Sequence, residues 1–203
     1  MRVSLLMLAQ QHGQPVLVVN YAFPRVLDAV IKYIETSQLP PAESQPGEHV
    51  TASRLQHYAD VYILANGLQI HSLKSSALEK WSETTESCLF GAFPVKALNN
   101  LVQHTYSKTT QNDADIRVAA LRLATSYHQT YTNMAFAVST DPQVSQKCTP
   151  DLYKQLFCYQ REFPELDNFL RTKDPVAWQL AKMYEEELQK LNHLHSMKDL
   201  QDC

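Results

Sequence analysis

Apolar residues recur along this chain mostly three and four positions apart, the spacing that gathers them on one face of a helix. The exception is Val16-Leu17-Val18-Val19, a short β-branched run bounded by Gly13, Pro15 and Asn20, which reads as a buried strand. Phe23-Pro24 then opens a helix, with Pro in the first turn, where its missing N–H costs nothing. Leu27, Val30, Ile31 and Ile34 form its apolar stripe, and Pro40-Pro41 ends it. Residues 37–49 hold three Pro and one Gly and no large apolar side chain except Leu39, so a mobile loop is expected.

The next helix is capped by Thr51 or Ser53 and carries Leu55, Tyr58, Ala59, Tyr62 and Ile63. Asn66-Gly67 breaks it, and Ser72 caps a third helix with Leu73, Ala77, Leu78 and Trp81 on its stripe. This pair is expected to form an antiparallel hairpin that buries Ala65, Leu73 and Ala77. Residues 82–92 read as a polar connection. Pro94 starts a helix with Ala97, Leu98, Leu101, Val102 and Tyr106 on one face. Asn112-Asp113 caps a longer one bearing Ile116, Ala120, Leu121, Ala124, Tyr127 and Tyr131. Three further helices are expected after residue 148, with Thr149-Pro150 and Asp174-Pro175 as start signals. In the last, Val176, Leu180, Met183, Tyr184, Leu188, Leu191 and Leu194 alternate roughly by four and three, the outline of a short coiled-coil seam.

Composition sharpens this picture. The 203 residues are 44% hydrophobic, enough for a core, and hold 4 Gly, which favours helices over turn-rich folds. A net charge of −3 leaves no basic excess to neutralise phosphates, so a nucleic-acid partner is not expected. No stretch reaches the roughly 20 apolar residues of a membrane span. Residues 1–10 imitate a short signal peptide but lack a small-x-small cleavage site. Cys88, Cys148, Cys158 and Cys203 have long, irregular spacings without a CxxC pair, and they read as reduced thiols of a cytoplasmic or nuclear protein.

Candidate chemistry is sparse. There is no G-x-S-x-G nucleophile turn and no glycine-lysine phosphate loop, and His193 and His195 stand two apart, on different sides of a helix. The residues therefore predict no enzyme, no cofactor and no metal.

Residues 61–81 (VYILANGLQIHSLKSSALEKW) resemble the closing helix pair of a BTB/POZ domain, with Val61, Tyr62, Leu64, Ala65, Ile70, Leu73, Lys74, Ala77 and Lys80 in the matching positions. Val16–Val19 and the segment Phe23–Leu39, with its Tyr33-Ile34-Glu35-Thr36-Ser37-Gln38-Leu39 turn, resemble the preceding strand and third helix of that family. Residues 95–128 are similar to the tail of fungal-type members, through Thr105-Tyr106, Asp113 or Asp115, Ile116-Arg117 and His128. The front half of the domain is not found, Leu68 replaces the family's Tyr after the helix break, and Ser37 replaces its Gly.

The resemblance implies a mainly α fold with a minor β element: a truncated BTB/POZ-like helical cluster in residues 1–82 and a helical C-terminal extension in residues 93–203. It implies a non-enzymatic protein–protein interaction module, an adaptor or an oligomerisation domain. Its partners would be a cullin-type ligase or a second copy of itself, with no nucleic acid and no membrane. It also implies a docking surface around Tyr33, Glu35 and Leu39. Tyr33 lies one residue off the core stripe of its helix, so two placements are open to it: outward as an interface anchor, or packed under residues 37–49. Two other readings stand beside it: a helical enzyme or ligand-binding domain, and a fragment without independent function.

Overall fold

Helix α2, Val50–Gly67, lies at the centre of the molecule, because α1, α3 and α4 all pack against it. The computed structural model describes residues 7–11, 14–18, 24–43, 49–88, 93–147, 149–184, 186–187 and 190; for the two strands it describes the backbone alone. Strand β1, Met7–Gln11, pairs antiparallel with β2, Gln14–Val18, in a register that sets Met7 opposite Val18. Pro15 lies in β2 opposite Gln10, which a two-stranded sheet tolerates because each strand keeps an open edge. The sequence marks β2 but gives no sign of β1, since residues 3–9 imitate a leader. Among the described residues everything else that is regular is helix: α1 Pro24–Thr36, α2, α3 His71–Cys88, α4 Val95–Lys108, α5 Ala114–Thr140, α6 Pro142–Lys147, α7 Pro150–Lys173 and a further helix over 175–184. The fold is mainly α with a minor β element.

One buried cluster runs from Val26 to Trp178. The α2–α3 hairpin is its densest part. Ala65, Leu73 and Ala77 are fully buried, and the two small residues let the helix backbones approach closely. The boundary between residues 82 and 93 does not divide this core, for α4 packs on α2 and α5 on α3. Asn99 of α4 donates from Nδ2 to the Glu162 carbonyl of α7 at 3.2 Å, which ties the last long helix to the same body.

Several boundaries differ from the sequence reading. His49, not Thr51 or Ser53, occupies the cap position of α2, and no side chain caps there. Helix α2 continues through Asn66 and Gly67; the left-handed residue that stops it is Gln69, with φ 59°. The Ile70 N–H returns to the Ala65 carbonyl at 2.9 Å and the Gln69 N–H to Asn66 at 3.2 Å, the paired closure of a Schellman end. Helix α3 starts at His71, so Ser72 is inside it, and it runs on to Cys88 through the supposed connection. Hydroxyls of Thr84 and Thr85 satisfy the Lys80 and Trp81 carbonyls, so polarity there marks an exposed helix, not a loop. After residue 148 the described chain forms two long helical stretches instead of three, because α7 carries Pro164 within it. Asp141 caps the short α6, donated to by the Gln143 N–H at 2.8 Å.

Candidate interaction site

Helix α1 begins with Pro24, whose fixed φ suits a first helical residue. Val26, Ala29 and Val30 are buried where α1 meets α2. The helix ends as the Ser37 N–H bonds the Tyr33 carbonyl at 2.7 Å with Ser37 at φ 58°, while Thr36 Oγ1 returns to the Lys32 carbonyl at 2.7 Å. The chain then turns back under the helix. Leu39 packs against the core, Ala42 is buried, and its N–H donates to Tyr58 Oη of α2 at 3.1 Å. The start of the expected mobile loop is thus anchored; residues 44–48 lie outside the described part.

This geometry separates the residues expected to form one docking surface. Tyr33 and Leu39 are half-buried and pack against the core, so of the two placements open to Tyr33 the inward one holds. Glu35 is exposed. The side chains that do face water are two of those assigned to the core stripe: Ile31 is 44% and Ile34 63% exposed. Leu27, half-buried, continues the same ridge at i, i+4, i+7. The signal was present in the sequence. Val26, Leu27, Ala29, Val30, Ile31, Tyr33 and Ile34 cover a wider arc than one docked helix buries, and only half of that arc meets α2.

A cavity of about 240 Å³ opens where α1, residues 40–43 and α2 meet, with Arg25, Asp28, Lys32, Glu43 and His57 around it. Both signs of charge are present, so it favours no ion of one sign. Burial lowers the His57 pKa, opposed by Asp60 and reinforced by Arg25, and this keeps the imidazole neutral.

Deeper in, buried polar groups brace helix against helix. Asp60 Oδ1 of α2 meets His104 Nε2 at 2.9 Å and Lys108 Nζ at 3.2 Å, both from α4. A carboxylate–imidazole pair is the base half of a hydrolytic triad. The nearby Ser107 hydroxyl, however, donates to the His104 carbonyl at 2.8 Å, not to the ring. Asp113 accepts from Asn66 Nδ2 at 2.7 Å and from the Thr110 N–H at 2.8 Å, joining the ends of α2 and α5. Arg117 donates to the Thr109 carbonyl at 2.6 Å and lies 4.7 Å over the Tyr106 ring. All three arrangements spend their polar atoms on the fold.

A second cavity, of about 460 Å³, lies between the start of α4, α5 and α7, walled by Phe93, Tyr127, Tyr131, Cys158 and Glu162. Tyr127 and Tyr131 stack at 4.5 Å, and Tyr127 Oη donates to the Phe93 carbonyl at 2.8 Å. Cys158 is a free thiol; the side chains of Cys88, Cys148 and Cys203 lie outside the described part. Among the described residues, no cluster of three or more His, Cys, Asp or Glu is placed to hold a metal, and no helix is long and apolar enough to cross a membrane. A scan against protein-family models, a search of curated proteins and a search of solved structures find no match to this chain.

Proposed function

We propose that this chain is a non-enzymatic protein–protein interaction module, a BTB/POZ-like adaptor of the cytoplasm or nucleus. One observation carries the reading: Ile31 and Ile34 stand open to solvent, in line with the half-buried Leu27, on a helix whose opposite side is firmly packed. Isolated exposed apolar residues need no explanation, but a ridge at helical spacing on a fixed helix matches the anchor pattern of helix-in-groove recognition. The partner surface it fits is an apolar groove or helix face. Glu35 and Lys32 lie at its rim, where charge governs approach more than affinity. The resemblance in residues 61–81 supports an adaptor that engages a cullin-type ligase, and the site moves from Tyr33 and Leu39 to Ile31 and Ile34.

The test is a pull-down with the tagged full chain followed by mass spectrometry, comparing wild type with Ile31→Asp/Ile34→Asp. Circular dichroism checks that the variant stays folded, as expected for exposed positions. Loss of specific partners, a cullin-type scaffold among them, supports the proposal; retention of every wild-type partner overturns it. Tyr33→Glu is the wrong probe, because it would place a charge against the core.

The aromatic-walled cavity beside Cys158 favours a second reading, a ligand-binding helical domain. A thermal-shift screen of small aromatic and aliphatic compounds tests it, with Tyr131→Ala as the control that must abolish any shift.

A further inference from the structure

The cavity of about 460 Å³ between α4, α5 and α7 has two kinds of wall. One is apolar: Tyr127 and Tyr131 stack there, with Phe93 edge-on to Tyr127 at 6.5 Å. The other is positive. It is formed by the start of α4, where Pro94, Val95 and Lys96 line the cavity, and by Lys154 of α7. Pro94 occupies the cap position of α4 and no side chain caps there, so the Val95 and Lys96 N–H groups are the orphan donors of a helix start. The first turn holds no acid, and Lys96 stands in it, the wrong sign for the positive end of a helix dipole. Lys96 and Lys154 are both exposed, and neither is paired with a carboxylate among the described residues. The two acids that border the cavity are already answered. Glu162 accepts from Arg161 Nη2 at 2.7 Å, and Asp151, in the first turn of α7, meets that helix's own positive end.

A helix start alone is not a ligand site. The independent observation is Tyr131. It is 6% exposed and lines the cavity, yet its hydroxyl has no hydrogen-bond partner among the described residues, whereas the Tyr127 hydroxyl is spent on the Phe93 carbonyl. A buried hydroxyl without a partner is costly, and this one borders a space in which a ligand oxygen can accept from it.

We propose that this cavity binds an aromatic carboxylic acid in its ionised form. The carboxylate is held by the start of α4, Lys96, Lys154 and the Tyr131 hydroxyl, and the ring system lies on the Tyr127–Tyr131 stack. The proposal rests on the second reading given above, a ligand-binding helical domain, and adds the class of the ligand. The volume is in the range of small-molecule sites. A singly charged carboxylate fits better than a phosphate, because no arginine fork lines the cavity. The apolar wall separates this ligand from an inorganic anion, which would gain nothing from two stacked tyrosines.

Cys158, a free thiol bordering the same cavity, reports its occupancy. The full chain is treated with iodoacetamide in the presence of millimolar 2-naphthoate, its neutral isostere 2-naphthamide, or the cation 2-naphthylmethylamine. Peptide mass spectrometry reads the alkylation rate at Cys158, and titration calorimetry gives the dissociation constants. The acid is expected to slow alkylation severalfold, and the amide and the amine to leave it unchanged. Lys96→Met/Lys154→Met, altering two exposed positions, should raise the dissociation constant of 2-naphthoate about tenfold at an unchanged melting temperature. Tyr131→Phe, which keeps the ring stack, should raise it severalfold. Unchanged affinity in both variants overturns the inference. Equal protection by all three compounds means that the apolar wall binds alone; the inference then fails while the ligand-binding reading stands. If 2-naphthoate gives no protection the inference also fails, and that reading fails with it only where the wider thermal-shift screen is blank as well.

Discussion

In α2 every side chain from Tyr58 to Ala65 is buried, Asp60 included; in α1, which packs against it, only Val26, Ala29 and Val30 are. The two helices begin from comparable apolar stripes. What separates them is the number of neighbours. Helix α2 is enclosed by α1, α3 and α4, so even its polar side is covered, and Asp60 survives burial because His104 and Lys108 meet it there. Helix α1 packs on α2, and the part of its apolar arc that points away stays wet. An apolar stripe thus reports a wish to be covered; the topology decides whether this chain or another molecule does the covering.

The largest effect that could break this comparison comes from matched truncations. Leu73→Ala, in the α2–α3 seam, should cost about 2–5 kcal/mol by opening a cavity in a fully buried site. Ile34→Ala removes a similar volume from α1 and should change stability by no more than about 0.5 kcal/mol. Urea melts of both variants decide it. A cost at Ile34 near that at Leu73 would mean that the α1 ridge is covered within the same molecule.

Acid titration sharpens the comparison at the seams. Burial lowers the pKa of His57, at the α1–α2 junction, and of His128, in the α5–α7 seam, where Lys182 acts in the same direction. Both stay neutral in the folded chain while the unfolded chain takes up protons below about pH 6.5. The stability they contribute is complete above that value and is lost as the pH falls towards their lowered folded values. His128 has more to lose. Its Nδ1 pairs with Tyr159 Oη, its ring stacks on Phe163 at 4.7 Å, and a charge on the ring would meet the Lys182 ammonium. Melting temperatures between pH 7.5 and 5 should therefore fall for wild type, less steeply for His57→Gln, and least for His128→Gln. Parallel slopes in all three proteins would show that neither imidazole governs the acid response.

The stripes of α2 through α5 were legible because each has helical spacing and enough neighbours to bury it; Leu55, Leu73, Trp81, Leu98, Ile116 and Ala124 are all where the pattern puts them. Ile31 and Ile34 were not, since periodicity marks an apolar face without saying what meets it. The docking residues shifted for the same reason. Tyr33 lies one position from the stripe, which left it open to face outward or inward; it packs against the core beside a chain reversal pinned by Ala42 and Tyr58, a long-range bond that no local pattern encodes. Strand β1 resembled a leader because its partner is what makes it a strand. The run to Cys88 was hidden by polar side chains that an exposed helix carries as readily as a loop.

The smallest expected effect has the most decisive sign. Asn66-Gly67 has the composition of a helix stop, and were Gly67 the left-handed residue, adding a Cβ there would strain the turn. In the structure Gly67 is still helical and exposed, and a Cβ built on it meets nothing within 4 Å. Gly67→Ala should therefore stabilise the protein by about 0.5–1 kcal/mol, by removing freedom from the unfolded chain and raising helix propensity. The strain lies two residues on, where Gln69 holds φ 59° to let the Ile70 N–H close on Ala65. Gln69→Gly should relieve it by about 1 kcal/mol. The pair of signs is the test. If Gly67→Ala raises the urea midpoint and Gln69→Gly raises it too, α2 runs its full length and the hairpin turns at Gln69; if Gly67→Ala lowers it, the helix stops where the Asn-Gly pair suggests, and the close approach of Ala65 to Leu73 must be drawn differently.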